Sequence, residues 1–245
     1  MIDREQQLAV YRAQTENVRA LGKAWTQVER AINEALRKDN RDVAGGLTKC
    51  LALVFSAWAE SNFSKIIHTP YGFELDEIEQ IKNTWSHSGI GEGWKTALEV
   101  ALRKAPSRGK SNYLPNIRLT ITRIIELYAI APSLVRNKLA HGQWAIALNR
   151  ENTRVNQDLT LTVCNIDCVQ VDRWREAHRI LAEMMETLIE SPERAFHRDY
   201  WGAIARLETE LVRRETWTID TKLARLRPKP VLSRQNGSAA ASSGG

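Results

Sequence analysis

The chain has 245 residues, of which 43% are hydrophobic and 26% charged, a composition that suits a folded core and excludes wholesale disorder. Three cysteines, no secretory signal pattern and a longest apolar stretch of only residues 51–59 lead us to expect a reducing, cytoplasmic setting without a membrane. The formal net charge of +6 points to a polyanionic partner.

Most of the chain has the apolar periodicity of α-helices. In residues 4–38, two series of apolar residues spaced seven apart indicate a long helix whose face docks on neighbouring helices or on a second subunit. The next helix, residues 47–68, starts apolar and continues into polar positions, so it enters either a cleft or solvent. Further helices are expected at residues 74–85, 94–105, 116–130, 133–141, 170–190 and 192–214. The predicted fold class is therefore mainly α, a helical bundle.

Two segments interrupt this helical pattern. Residues 86–93 contain three glycines and are expected to form a flexible loop, which is not a phosphate loop because no strand precedes it. A small inserted β-hairpin is expected at about residues 143–164. Its strand candidates are residues 143–148 and 159–163, the second of which reads Leu-Thr-Leu-Thr-Val. A lone hairpin is marginal in water, so it must pack on the helices.

The basic balance of the chain is concentrated at its C-terminal end. We expect one helical domain over residues 1–220 and a basic, disordered tail over residues 221–245. The tail holds five basic residues and no acidic one, which accounts for five of the six net positive charges. The net charge therefore does not indicate a nucleic-acid-binding face on the folded domain, although such a tail can attract RNA electrostatically.

The short helix at residues 133–141 carries the residues best suited to chemistry. Asn137 and His141 are four apart and share a helical face, whereas Arg136 lies about 140° around the helix from His141. One copy cannot bring Arg136 and His141 to the same atom, but two copies meeting at an interface can. A His that moves the proton of the RNA 2′-hydroxyl and an Arg that binds phosphate suit metal-free RNA cleavage. The alternative is an Arg in a salt bridge and a His that caps the helix before Gly142.

A second pair with the same spacing, Arg173 and His178, serves as a comparison within the chain. His178 falls on an apolar stripe between Trp174 and Leu181, in the middle of a predicted helix. We interpret it as a core histidine with a satisfied hydrogen bond.

The segment Arg136-Asn137-x-x-x-His141 resembles the R-N-x-x-x-H motif of the HEPN superfamily. The resemblance implies a HEPN-like helical bundle in which Arg136 and His141 are catalytic and Asn137 is supporting. Residues 53–60 resemble the second helix of several members, which adds Glu60 as a supporting residue. Many HEPN proteins are endoribonucleases that act as homodimers without metal or cofactor, in toxin–antitoxin, abortive-infection and phage-defence systems.

The remaining expectations concern partners. Lys138, Lys65, Arg108 and Lys110 are candidate RNA contacts, and an antitoxin or defence-complex protein is a candidate protein partner. Cys164 and Cys168 are spaced compatibly with zinc but lack a second ligand pair, so free thiols and no metal are expected. Two alternatives to the nuclease stay open. One is a non-catalytic HEPN-like module that acts as a scaffold or binds nucleotide, and the other is a helical adaptor unrelated to HEPN.

Overall fold

The first two helices form a long hairpin that runs along one side of the molecule. In the computed structural model, which describes residues 3–109 and 111–226, α1 (Arg4–Arg37) turns into α2 (Arg41–Ile67) within three residues. Asp39 adopts a left-handed backbone at this turn, with φ of 51°, and the side chain of Asn40 accepts a hydrogen bond from the backbone N–H of Val43 at the start of α2.

The other described helices follow with short connections, apart from the segment between α6 and α7. They are α3 (Leu75–Ser88), α4 (Ile90–Arg103), α5 (Tyr113–Ile125), a π-helical turn (Glu126–Ile130), α6 (Ala131–Ala140), α7 (Gln157–Asn165), α8 (Cys168–Glu190), α9 (Ala195–Glu215) and α10 (Ile219–Leu226). The prediction of a mainly helical fold is confirmed.

Two hydrophobic cores hold these helices together, and α2 and α8 contribute to both. The first core joins the C-terminal half of α2 to α3, α4, α5, α8 and α9. The second core lies between α1, the N-terminal half of α2, α6, α7 and the start of α8. Trp25 and Ile32, from the seven-residue series of α1, are almost fully buried in this second core. The apolar face of α1 therefore docks within the same chain.

The expected loop at residues 86–93 is instead the junction of two helices. Only Gly89, with φ of 88°, separates α3 from α4. Gly91 and Gly93 lie inside α4, where they permit close helix packing. A Cβ on Gly91 would lie 2.5 Å from the side chain of Ile130, and one on Gly93 would lie 2.9 Å from that of Trp85. These glycines are therefore required by close approach of neighbouring elements, which a single sequence does not distinguish from a mobile loop.

A π-helical turn connects α5 to α6 without breaking the helical path. Pro132 lies in the first turn of α6, where it lacks the N–H that would bond the carbonyl oxygen of Tyr128 in an α-helix. The backbone N–H of Ala131 instead bonds the carbonyl oxygen of Glu126, five residues earlier. The Ala-Pro-Ser sequence thus widens the helix by one residue instead of ending it.

The expected β-hairpin is wrong. Residues 159–163, the second strand candidate, lie inside α7, and between the described residues 143 and 164 the only β pairing is one isolated bridge from Leu148 to Val155. Asn156 caps α7 by accepting from the backbone N–H of Leu159, and the hydroxyl of Thr160 bonds the carbonyl oxygen of Asn156 at 2.7 Å. In this helix Val163 is buried and Leu161 is 60% exposed. An alternation over five residues is too short to distinguish the two-residue period of a strand from the 3.6-residue period of a helix, and the N-cap at Asn156 favours the helix.

The expected domain boundary at residue 220 falls inside α10, which packs on α1. Lys222 is buried with its Nζ 3.6 Å from a carboxylate oxygen of Glu29, so the start of the expected tail belongs to the fold. The rest of that tail lies outside the described residues. Among the described helices, α2 alone is long and apolar enough to cross a membrane by length and composition, a criterion that core helices also meet.

Candidate functional site

The predicted motif lies on α6, which two buried residues anchor to the second core. Val135 and Leu139 are each 2% exposed. Arg136, which follows Val135 in the sequence, has a partly buried side chain. Gly142 adopts the left-handed conformation expected of it, with φ of 75°. A carbonyl group at the C-terminal end of α6 finds its hydrogen-bond donor nearby. The indole N–H of Trp144 donates to the carbonyl oxygen of Leu139 at 2.9 Å.

Three of the predicted site residues come together. The Arg136 guanidinium forms an ion pair with the carboxylate of Glu60 on α2, and its Nη1 donates to Asn137 Oδ1 at 3.2 Å. The side chains of Arg136 and Glu60 are 31% and 33% exposed, so the pair sits at the surface edge of the core. Glu60 thus holds the guanidinium in place and neutralises its charge in the single chain.

His141 lies apart from this cluster. It is the C-cap of α6, is exposed, and uses its backbone N–H to bond the carbonyl oxygen of Asn137 at 3.2 Å. Its ring is not among the side chains that line the groove beside Arg136. Within one chain, Arg136 lines the groove and pairs with Glu60, whereas His141 lines neither the groove nor a pocket beside it.

An open groove of about 410 Å³ runs past Arg136 between α2, the α3–α4 junction and α6. Glu60 and Asn137 line it together with Arg136, and the start of α4 forms its opposite side. Apolar surface comes mainly from one aromatic and three aliphatic side chains: Trp85, Ile90, Ile130 and Leu134. The groove thus combines charged, amide and aromatic groups in a volume suited to a small ligand or one nucleotide unit.

A small inner cavity of about 20 Å³ adjoins the groove. Its lining shares Glu60, Ile90 and Ser133 with the groove and continues inward to Trp94 on α4 and His178 on α8. Tyr128 and Ala129 of the π-helical turn line one side of it. The unusual turn, the groove and the Arg136 cluster therefore occupy one region of the molecule.

His178 is held in a defined orientation at the inner end of this cavity. Its Nδ1 donates to the carbonyl oxygen of Tyr128 at 3.2 Å, the same oxygen that Pro132 leaves without an α-helical donor. Phe55, Trp58 and Trp94 surround the ring. Complete burial lowers the pKa of His178 to about 4, so the ring is neutral at pH 7.

His178 was expected to be a core histidine with its hydrogen bonding satisfied, but within the described chain only one of its two ring nitrogens has a partner. His178 Nδ1 has a partner, but its Nε2 is buried without one among the described residues. Sequence reasoning missed the approach of this ring to the Arg136 groove, because the residues concerned lie on four separate elements. The available signals were Ser56, which interrupts the apolar stretch of residues 51–59, Glu60 four residues later, and Pro132 four residues after Tyr128.

The candidate RNA-contacting cations do not join the cluster. Lys138 Nζ donates to the carbonyl oxygen of Leu148 at 2.6 Å, which ties the segment after α6 to the helix. Lys65 pairs with Glu186 at 2.5 Å, and its side chain is only 20% exposed. Arg108 is exposed in the loop before α5 with φ of 51°. Lys110 lies outside the described residues.

The described part of the chain contains no group of three or more His, Cys, Asp and Glu side chains arranged to hold a metal ion. Cys50, Cys164 and Cys168 are free thiols. Cys164 is exposed, whereas Cys168 is buried, and burial raises the pKa of its thiol.

No family model, curated protein or solved structure shows a significant match to this chain.

Proposed function

We propose that this protein is a metal-independent endoribonuclease of the HEPN type that acts as a homodimer in the cytoplasm. The observation that carries the proposal is the Arg136-Asn137-x-x-x-His141 motif at the C-terminal end of α6, with Arg136 beside a groove and His141 exposed at the helix cap. A toxin–antitoxin or phage-defence setting, with an antitoxin or defence-complex partner, belongs to the same proposal.

The residue types fit the cleavage of RNA by its own 2′-hydroxyl. One imidazole accepts the proton of that hydroxyl and a second donates a proton to the leaving 5′-oxygen, while guanidinium groups bind the phosphate oxygens as charge develops. The reaction yields a 2′,3′-cyclic phosphate and a free 5′-hydroxyl. These steps need no metal ion.

Placement on α6 supports a site composed of two copies. Arg136 is drawn toward α2 by Glu60, whereas His141 faces solvent, so one chain does not direct both groups at one phosphate. A second copy can supply the missing His141 and Arg136. An arriving phosphate would compete with Glu60 for the guanidinium, which makes Glu60 a candidate for holding Arg136 ready.

The test is cleavage of a mixed RNA by purified protein in the presence of EDTA. We expect fragments that end in 2′,3′-cyclic phosphate from the wild type and none from His141→Ala or Arg136→Ala. The matched control is His87→Ala, which removes another exposed histidine that lies on α3. Equal cleavage by wild type and His141→Ala would show that the catalytic assignment is wrong.

One observation favours a second candidate, a non-catalytic module that acts as a scaffold or binds nucleotide. Glu60 already neutralises the Arg136 guanidinium, as in an ordinary structural ion pair. This candidate expects that His141→Ala leaves partner or nucleotide binding unchanged. Trp25 and Ile32 are buried inside the chain and do not form its partner surface.

A further inference from the structure

Two polar atoms of residues that line the inner cavity lack hydrogen-bond partners among the described residues. They are Nε2 of His178 and Nε1 of Trp94, and both side chains are almost completely buried. Leaving a buried donor or acceptor unpaired costs free energy, so most such groups in folded proteins have a partner. Two such residues line one cavity, so a group placed there can supply the partners that both atoms lack.

The hydrogen-bonding roles of these two atoms are fixed. His178 Nδ1 faces a carbonyl oxygen, so it carries the proton, and Nε2 of the neutral ring is an acceptor. An indole N–H can only donate. A group that satisfies both atoms must donate one hydrogen bond to His178 and accept another from Trp94.

The cavity beside these side chains borders the groove. Its volume of about 20 Å³ is too small for a whole ligand and leaves room only for the polar edge of one. Glu60, Ile90 and Ser133 line both the cavity and the groove, so a ligand in the groove can extend its edge inward.

The residues that line the cavity favour the edge of a neutral, planar ring. Phe55 and Tyr128 line the cavity beside Trp94 and His178, and Glu60 is its only charged lining residue within the described chain. Trp85 adds aromatic surface in the groove outside. Each nucleobase has a hydrogen-bond donor next to an acceptor on the edge of a planar, uncharged ring, and proteins read single-stranded RNA through such edges.

We propose that the groove takes an unstacked RNA base whose hydrogen-bonding edge enters the cavity between His178 and Trp94. This base site rests on the proposed ribonuclease function and would give that activity its base preference. His178 and Trp94 determine specificity in this arrangement, and Arg136 and His141 carry out the cleavage.

The experiment titrates the full-length protein with each of the four ribonucleoside 5′-monophosphates and follows its indole N–H signals by ¹⁵N NMR. The Trp94 signal is identified by its absence from Trp94→Phe. We expect at least one monophosphate to shift this signal saturably, and Trp94→Phe to bind it about tenfold more weakly through the lost hydrogen bond. Trp201→Phe is the matched control, because Trp201 is 62% exposed on α9.

A second variant protects the test against misfolding of Trp94→Phe. Ser133 lines both the groove and the cavity, so Ser133→Leu fills space on their shared side without changing Trp94 or His178, and it is expected to block the shift of the Trp94 signal. The base site is wrong if no monophosphate shifts that signal, which would leave a cavity for water alone. It is equally wrong if Trp94→Phe or Ser133→Leu, folded by circular dichroism, binds as tightly as the wild type.

The outcomes separate the two proposals. Base binding by a wild-type protein that cleaves no RNA contradicts the ribonuclease and keeps the base site. RNA cleavage by a protein whose Trp94 signal does not respond to any monophosphate keeps the ribonuclease and contradicts the base site.

Discussion

Acid should destabilise this protein through His178, and replacing that residue should remove the effect. The ring is completely buried, and burial lowers its pKa from 6.5 to about 4. Below pH 6.5 the unfolded chain binds a proton at this position, whereas the folded chain does not until the pH approaches 4. The free energy of unfolding therefore falls as the pH drops from 6.5 to about 4, and it is unaffected by this group above pH 7.

The size of the effect follows from the difference between the two pKa values. Each pKa unit corresponds to about 1.4 kcal/mol, so His178 costs about 2 kcal/mol at pH 5 and about 3 kcal/mol below pH 4. A loss of this size is a large fraction of the stability of an ordinary domain.

The assay is urea unfolding at pH 7 and pH 5, with wild type and His178→Gln compared at each pH. The variant has no group that titrates at this position, so its loss of stability between the two pH values should be about 2 kcal/mol smaller than that of the wild type. His68 and His197 also have pKa values lowered by burial, but both remain in both proteins and cancel in the comparison.

His141→Gln is the control, because this substitution removes an exposed histidine. The loss of stability that His178 causes on acidification should remain in this variant, because the buried ring of His178 is unchanged. If His178→Gln and the wild type lose the same stability between pH 7 and pH 5, the ring is not held neutral by burial and the assignment of its donor and acceptor atoms is refuted.

Two further predictions concern the packing that shapes the groove and the helix found in place of the hairpin. Gly91→Ala should destabilise the protein by about 1–3 kcal/mol in thermal or urea unfolding, because its Cβ would meet Ile130 at 2.5 Å. Gly22→Ala, which has open space around the new Cβ, should instead stabilise it by about 0.5–1 kcal/mol, and equal effects at both sites would contradict the packing argument. Asn156→Ala should cost about 1 kcal/mol and lower amide protection in α7, whereas an unchanged hydrogen-exchange profile would speak against the cap.

The long helices were predictable because their apolar spacing is repeated many times. The series through Trp25 and Ile32 runs over most of α1, so local exceptions such as the isolated Gly22 did not obscure it. The end of α6 was predictable for a different reason, since Gly142 supplies the left-handed conformation that a helix terminus requires.

Short segments were predicted poorly because their outcome depends on tertiary contacts. Thr160 alternates with leucines as in a strand, yet it lies in α7, where its hydroxyl accepts a hydrogen bond from the backbone N–H of Ala147 at 3.0 Å. Gly91 and Gly93 lie in a glycine-rich run typical of a loop, but close packing against Ile130 and Trp85 explains them. Neither contact is visible in the local pattern.

The candidate site was predictable only where a segment of the sequence resembles a known motif or helix. Arg136 and Asn137 were identified from their spacing to His141, and Glu60 from a weak resemblance in α2. His178 was correctly assigned to the core from its position between Trp174 and Leu181, but a sequence does not show which nitrogen of a buried ring has a partner. Trp94 was missed for the same reason, since its indole N–H lacks a partner only in the folded molecule.

The π-helical turn at Glu126–Ile130 also sets the rotation of α6 about its helix axis. An α-helix advances about 100° per residue, so the extra residue in this turn rotates α6 by about that angle relative to a continuous α-helix from α5. Deleting one residue here would keep the helix but turn Arg136 away from Glu60. Removing one residue from this turn would therefore remove the pairing of Arg136 with Glu60 in the groove. Conversely, inserting one codon into a continuous helix suffices to create this arrangement.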